Sequence, residues 1–156
     1  MVFAKTSKAA SRLSDQVRRN AMERTYLAVV NEKPKQASSR LVNYLYKNRQ
    51  KNKVSIVSEH HKEGKKAVLD YSVIASRDGL SLLSVKLQTG RPHQIRVQLA
   101  GIGTSIWGDQ KYGAQYSKVG QQIALWANSL TISHPVQKTP ISVASPLPEA
   151  YPWNIW

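Results

Sequence analysis

No cysteine occurs among the 156 residues of the chain. This absence excludes a disulfide scaffold, a thiolate metal site and a cysteine nucleophile. The sequence also has no apolar run close to the roughly 18 residues that a membrane-spanning helix requires, and its first residues, MVFAKTSK, lack the apolar core of a signal peptide. We therefore expect a cytoplasmic protein with no membrane partner.

Acidic side chains are scarce as well. The chain has 9 Asp plus Glu against 23 Lys plus Arg, which gives a formal net charge of +14 and a pI near 10.2. Residues 1–66 carry 16 basic and 5 acidic side chains, whereas residues 67–156 carry 7 and 4. Such a positive field attracts polyphosphates such as nucleic acids. The length fits a single domain, 1–156, and 41% hydrophobic residues suffice for its core.

Alternating apolar residues predict several strands, and an Asp-Gly turn between two of them is typical of a hairpin. The expected strands are Arg24–Val30, Ala67–Ile74, Leu80–Leu87, Ile123–Ser133 and Ile141–Ala144, and a brief apolar run at Val2–Lys5 could form another. The aromatic tail, EAYPWNIW, is expected to cap the core.

Two segments have helical periodicity. The first, which Thr6 or Ser7 can cap, turns an apolar face inward that consists of Ala10, Leu13, Val17 and Ala21. The second should run from about Pro92 to Ala100. Together the elements predict an α+β fold, a mixed and mainly antiparallel sheet with packed helices.

Basic side chains concentrate in two stretches. One interleaves cations with tyrosines, which suits phosphate contacts and stacking of unpaired bases, and it carries Lys47, Arg49, Lys51 and Lys53. A mobile surface excursion with short strands explains this pattern equally well. In the first helix, Arg18 and Arg19 lie on the polar face, where they either contact phosphate or simply face solvent.

The most distinctive stretch is Leu87–Gly113, LQTGRPHQIRVQLAGIGTSIWGDQKYG. It places Arg91 and Arg96 near the N-terminus of a helix, where the macrodipole disfavours cations. Helix stability therefore does not explain the two arginines at these positions. The simplest explanation is that they bind an anion or pair with a carboxylate. The four histidines lack metal-binding spacing, so no metal is predicted. The sequence also has neither a phosphate-binding glycine loop nor a serine triad.

The run TGRPHQIRVQLAGIGTSIWGDQKYG closely resembles the late motif of the RluA-type pseudouridine synthases, TGRxHQIRxHLxxxGxPIxGDxxYG. Four further segments resemble that family in the same order along the chain: FAKTSKAASRL, RTYLAVV, GKKAVLDYSVI and IALWANSLTISHPV. The departures within the late motif are small, with Gln98 at a usual histidine and Thr104-Ser105 at a usual His-Pro pair.

The resemblance implies a pseudouridine synthase catalytic domain that isomerises uridine in ribosomal or transfer RNA without cofactor or metal. The family's aspartate nucleophile lies in an HRLDxxTSG loop just before the FAK strand, and no acidic residue of this sequence has that context. The resemblance therefore implies the C-terminal portion of the domain, which binds RNA with negligible isomerisation. The alternatives are a non-catalytic RNA-binding module on the same fold and a basic structural protein of a ribonucleoprotein.

The resemblance also assigns residues. Tyr26 would pack against the target base, Arg91 would order the loop or contact phosphate, and Arg96 would form an ion pair with the aspartate nucleophile. His93 and Gln94 would hold the backbone. Without that aspartate, Arg96 is expected to lack a counter-charge, since Asp109 is a disfavoured substitute. Lys47, Arg49, Lys51, Lys53, Arg18 and Arg19 would complete the RNA-binding surface.

Overall fold

One antiparallel sheet organises the fold, as seen in a computed structural model that describes residues 2–156. Its strands are β1 (Glu23–Asn31), β2 (Ser38–Asn48), β3 (Lys53–Val57), β4 (Lys65–Arg77), β5 (Leu80–Leu87), β6 (Leu125–Ser133) and β7 (Pro140–Ala144). They lie in the order β3-β2-β4-β5-β1-β6-β7, and each neighbouring pair is antiparallel. The helices are α1 (Ser7–Arg18) and α2 (Gln94–Gly101), with 3₁₀ turns at Ala114–Tyr116 and Trp153–Ile155. The expected α+β class is confirmed.

The core lies at β1 and β5, which occupy the middle of the sheet. Ala28, Val29 and Val30 are completely buried, and Leu82 and Leu83 across the ladder are nearly so. Successive side chains of a strand point to opposite faces, so a run of buried residues means that both faces of these strands are covered. The predicted aromatic cap is confirmed, because Trp153 is buried in this core.

The β4–β5 hairpin follows its sequence signal closely. Asp78 and Gly79 both have positive φ, 52° and 75°, which is the backbone that a tight two-residue hairpin turn requires. The preceding basic segment is more regular than its composition indicates. It forms the eleven-residue strand β2 and its partner β3 instead of a mobile excursion, with Tyr44–Asn48 paired to Lys53–Val57.

Two expectations about the N-terminal region are wrong. Val2–Lys5 forms no strand, and Phe3 is 80% exposed without a sheet partner among the described residues. Helix α1 begins as expected, since the Thr6 side chain accepts a hydrogen bond from Ala9 N. Its inward face differs, however, because Val17 is 56% exposed and Gln16 is buried.

Gln16 is buried because its amide satisfies the backbone of β6. Its Nε2 donates to Ser133 O at 2.8 Å, and its Oε1 accepts from Ser133 N at 3.0 Å. Arg12 adds a hydrogen bond to Pro135 O at 2.8 Å. Polar pairing, and not an apolar stripe, therefore attaches this part of α1 to the sheet.

Replacement of Gln16 by Ala should lower the free energy of unfolding by about 1–3 kcal/mol, because it leaves Ser133 with unpaired backbone groups. The matched control, Val17→Ala, should change it by less than about 0.5 kcal/mol. Urea unfolding measures both variants, and hydrogen exchange of the α1 amides reports whether the helix detaches locally. Equal costs for the two variants would contradict this description of the contact.

Candidate functional site

The turn before α2 is fixed by the side chain of Gln94, which is 2% exposed. Its Oε1 accepts from Arg91 N at 3.0 Å and from the Thr89 hydroxyl at 2.8 Å, and its Nε2 donates to Val68 O at 3.0 Å. The helix begins at Gln94 and not at Pro92, because His93 has the left-handed φ of 52°. The expectation that Gln94 holds the backbone is confirmed.

Arg96 forms a two-pronged ion pair with Asp109. Its Nε donates to Oδ2 at 2.8 Å and its Nη2 donates to Oδ1 at 2.7 Å. The Asp109 side chain is completely buried and also accepts hydrogen bonds from Lys111 N and Tyr112 N. Burial alone would raise the Asp109 pKa, but Arg96 and the Tyr112 backbone N–H hold it below its usual value. The same bond raises the pKa of Arg96.

This pair corrects the expectation that Arg96 lacks a counter-charge. Asp109 lies 13 residues farther along the chain, and the loop that returns it to α2 depends on glycines at both ends. A Cβ on Gly108, which has φ of 77°, would collide with Gln122 O, and one on Gly113 would lie 2.5 Å from Ser105 Oγ. The GDQKYG segment thus supplies the carboxylate that the sequence interpretation sought elsewhere.

His93 belongs to the same cluster through Tyr112. The Tyr112 hydroxyl accepts from Val54 N at 2.9 Å and lies 2.8 Å from His93 Nδ1. Since the hydroxyl has one proton to donate, this arrangement suits a neutral imidazole that accepts at Nδ1. Burial, followed by the charge of Arg96, lowers the His93 pKa and favours that neutral form. His93 therefore contacts a side chain, not the backbone, and joins α2 to β3.

Arg91 differs from Arg96 in being exposed. Its Nε donates to Lys66 O at 3.0 Å, and it forms no ion pair within residues 2–156. It contributes to a cavity of about 370 Å³ whose polar lining is mainly cationic. The lining comprises Leu45, Tyr46, Lys47, Arg49, Val54, Glu63, Lys65, Arg91 and Pro92.

The remaining expected RNA-binding residues do not all join this cavity. Lys51 lies in the β2–β3 turn and Lys53 begins β3, so both extend along the same hairpin. Arg18 and Arg19 lie at the far end of α1, where both pair with Asp15. The structure therefore brings Arg91, Lys47 and Arg49 together and leaves the α1 arginines in a separate, partly neutralised group.

Tyr26 lines a second cavity of about 370 Å³, beside β6 and β7. The strand register places it on the same sheet face as Val85 and Tyr71, which is the face that α2 covers through Gln98 and Asn43. Arg24 lines the same cavity. Sequence analysis missed Arg24, because a single arginine at the start of a strand carries no distinguishing pattern.

The described residues contain no cluster of three His, Asp or Glu side chains that could hold a metal ion. Within the same range, no helix is long and apolar enough to cross a membrane.

The family model described as RNA pseudouridylate synthase matches residues 1–101. The chain belongs to the RNA pseudouridine synthase family, in its RluA-type branch. A pseudouridine synthase relative from Chlorobaculum parvum, uncharacterized by name, is 32% identical over 96% of this chain and 51% of its own length. Ribosomal large subunit pseudouridine synthase D of Pseudomonas aeruginosa is 31% identical over 98% of this chain and 51% of its own length.

Solved structures agree in fold. Human RNA pseudouridylate synthase domain containing 4 superposes with a TM-score of 0.78 at 21% identity, covering 95% of this chain and 66% of that protein. Human RNA pseudouridylate synthase domain containing 1 superposes with a TM-score of 0.77 at 21% identity, covering 94% of this chain and 63% of that protein. The chain spans about half the length of the curated relatives named above.

Replacement of Asp109 by Asn should lower the free energy of unfolding by about 3–5 kcal/mol, because it leaves the Arg96 guanidinium without its charge partner. The control Asp15→Asn removes the carboxylate of two pairs with exposed arginines, Arg18 and Arg19, at the end of α1 and should shift the unfolding midpoint far less. Urea denaturation followed by tryptophan fluorescence measures both. A small effect of Asp109→Asn would contradict a stabilising role for the pair.

The pH dependence of this pair has a definite sign. Because the folded-state pKa of Asp109 is depressed, its stabilisation is present above the ordinary carboxyl pKa of about 4 and is lost as the pH falls through the folded value. The difference in stability between wild type and Asp109→Asn should therefore stay level above about pH 5 and shrink in more acidic buffer.

Proposed function

We propose that this chain forms the uridine-binding part of an RNA pseudouridine synthase that acts on ribosomal or transfer RNA. Family membership supports the reaction class, and a relative named ribosomal large subunit pseudouridine synthase D supports ribosomal RNA as a substrate. The observation that carries the proposal is the Tyr26 cavity, which lies on the α2 face of the sheet and has no acidic side chain in its lining.

In this proposal the target uridine leaves its stack and its base packs against Tyr26. Extrusion costs a few kcal/mol, which stacking and polar contacts in the pocket recover. An aspartate attacks the extruded nucleotide, the bond between C1′ and N1 breaks, the uracil turns, and a bond forms between C1′ and C5. The aspartate is released, C5 loses its proton and N1 gains one, so that the product is an isomer of uridine. The chemistry requires a carboxylate beside Tyr26, and no cofactor takes part.

None of the four aspartates in the chain fits that role. Asp109 is buried against Arg96, and Asp15 pairs with the arginines at the end of α1. Asp70 projects from the opposite face of the sheet, where it pairs with Arg40 and accepts from Gln88. Asp78 lies in the β4–β5 turn. The chain alone should therefore bind RNA with negligible isomerisation.

The two motif arginines have different roles in the proposal. Arg96 is committed to Asp109 and acts as a positioning residue that holds α2 against the GDQKYG loop. Arg91, which is exposed, remains available to an anion, either an RNA phosphate or the carboxylate of a nucleophile. Lys47 and Arg49 share its cavity and extend the positive surface along the β2–β3 hairpin toward Lys51 and Lys53.

A non-catalytic RNA-binding module on the same fold is the second candidate. The cationic cavity lined by Arg91, Lys47 and Arg49 favours it, because such a surface can bind RNA without any catalytic group. Both candidates require salt-sensitive RNA binding, because each contact between a cationic side chain and a phosphate releases counterions from the RNA. They differ only in whether an aspartate-bearing segment restores chemistry.

An isomerisation assay on unmodified bulk RNA separates the two candidates. The chain as written should form no pseudouridine above background. The same chain joined to an HRLD-bearing segment of a family member should form it, and the Asp→Ala variant of that loop should not. Equal product from the joined protein and its Asp→Ala variant would exclude the enzymatic function.

The division between pocket and RNA-binding surface predicts opposite kinetic effects. In the joined protein, Tyr26→Ala should lower activity far more than bulk RNA affinity, since it removes the stacking partner of one base. Neutralising Lys47, Arg49 and Lys51 together should weaken RNA binding and reduce the dependence of log K on log salt by up to about 3. Filter binding across a salt series and single-turnover assays measure these effects. Identical profiles for both variants would contradict the division.

A further inference from the structure

Arg24 is a half-buried cation that lacks a negative partner. Its Nη2 donates to Asn20 Oδ1 at 3.2 Å, while its Nε is buried and has no hydrogen-bond partner in residues 2–156. No carboxylate of the described chain lies within 4.0 Å of it, in contrast to the two-pronged pair of Arg96. Withdrawing a cation from water without a counter-charge is costly, so the position calls for an anion from outside the chain.

The Arg24 guanidinium packs against the backbone at Gly90 and donates a hydrogen bond to the Asn20 side chain. A Cβ on Gly90 would lie 3.3 Å from both Nη1 and Nη2 of Arg24, so the absent side chain lets the guanidinium pack against the turn before Arg91. Asn20, which accepts from Arg24, itself donates from Nδ2 to Gln88 O. The α1–β1 loop and the β5–α2 turn thus fix the position of the guanidinium before any ligand arrives, which lowers the cost of binding.

Arg24 and Tyr26 belong to one cavity. They are two residues apart on β1, about 7 Å along the strand, and they project to the same face. The cavity, about 370 Å³, falls within the range of about 300–1,000 Å³ that is usual for ligand pockets. The rest of its lining is apolar or neutral: Ala127, Asn128, Ser129, Leu130, Val143, Ala144 and Ser145. A fixed cation beside an aromatic ring, without a carboxylate, suits a nucleotide, whose phosphate can contact the cation while its base packs on the ring.

We propose that Arg24 binds a backbone phosphate of the nucleotide whose base packs against Tyr26, a step that rests on the proposed function. The phosphate oxygens accept from the guanidinium and neutralise its charge in a half-buried site. Arg24 thereby sets the register of the RNA strand in the cavity and makes recognition depend on a nucleotide, not on the base alone.

The test uses short uridine-containing RNA in which one linkage at a time is a neutral methylphosphonate. For the wild-type chain, one linkage beside the uridine should cost about tenfold in affinity, as expected for a hydrogen bond to a charged group. Arg24→Gln should lose a similar factor and should no longer respond to that linkage, whereas the exposed Lys118→Gln should keep the full response. Unchanged responses to every linkage in Arg24→Gln would overturn the proposal.

A second measurement follows the response in wild-type protein, so that its outcome does not depend on whether a variant folds. The Arg24 Nε–H resonance, assigned by its loss in Arg24→Lys, should move with uridine 5′-monophosphate and not with uridine. An equal shift with uridine, or with inorganic phosphate alone at the same concentration, would overturn binding of a nucleotide phosphate. So would loss of the response to the nucleotide once an HRLD-bearing segment is joined, because the anion would then be that segment's carboxylate.

The outcomes separate this proposal from the proposed function. A phosphate response at Arg24 in a joined protein that forms no pseudouridine would refute the enzymatic function alone. Pseudouridine formation without any response at Arg24 would refute this proposal alone. A chain that binds no RNA would refute both.

Discussion

The buried pair between Arg96 and Asp109 is the interaction on which the site region depends. It joins two segments separated by 13 residues, and it does so with Asp109 completely buried and Arg96 mostly buried, so that water cannot compensate the carboxylate. Separating a pair of this kind is costly because it leaves a buried charge without a partner. The two segments therefore tolerate few alternative arrangements. Its second effect is geometric, since Asp109 Oδ1 also accepts from Tyr112 N and so orients the tyrosine ring beneath the guanidinium, 5.1 Å away.

From Tyr112 the constraint passes to the edge of the sheet. The tyrosine hydroxyl accepts from Val54 N in β3 and contacts His93 at the start of α2, so one side chain joins the helix, the loop and the basic hairpin. On the opposite side of the α2 turn, Gln94 binds Val68 O in β4. The turn that carries Arg91 is consequently fixed from two strands, which allows an exposed arginine to keep a defined position.

Much of this arrangement was accessible from the sequence. The β4–β5 hairpin followed from apolar alternation around Asp-Gly, and the family resemblance gave the fold. The inward face of α1 was mispredicted because periodicity counts apolar residues, whereas Gln16 is buried through backbone hydrogen bonds. The partner of Arg96 was missed for a different reason: its identity depends on how a glycine-flanked loop closes in space, which spacing along the chain does not encode.

The sequestration of Asp109 has an electrostatic consequence for the whole face. The chain has nine acidic residues, and Asp109, the carboxylate of the motif, pairs with Arg96. The two opposite charges largely cancel in the field that an approaching ligand meets. Arg91 and Arg24 remain without ion-pair partners in the described residues, Arg91 in the turn before α2 and Arg24 packed against Gly90 of the same turn. The motif therefore combines a neutral, rigid interior with uncompensated cations at its surface. An anionic ligand is attracted by those surface cations, while the buried pair keeps the turn between them in place.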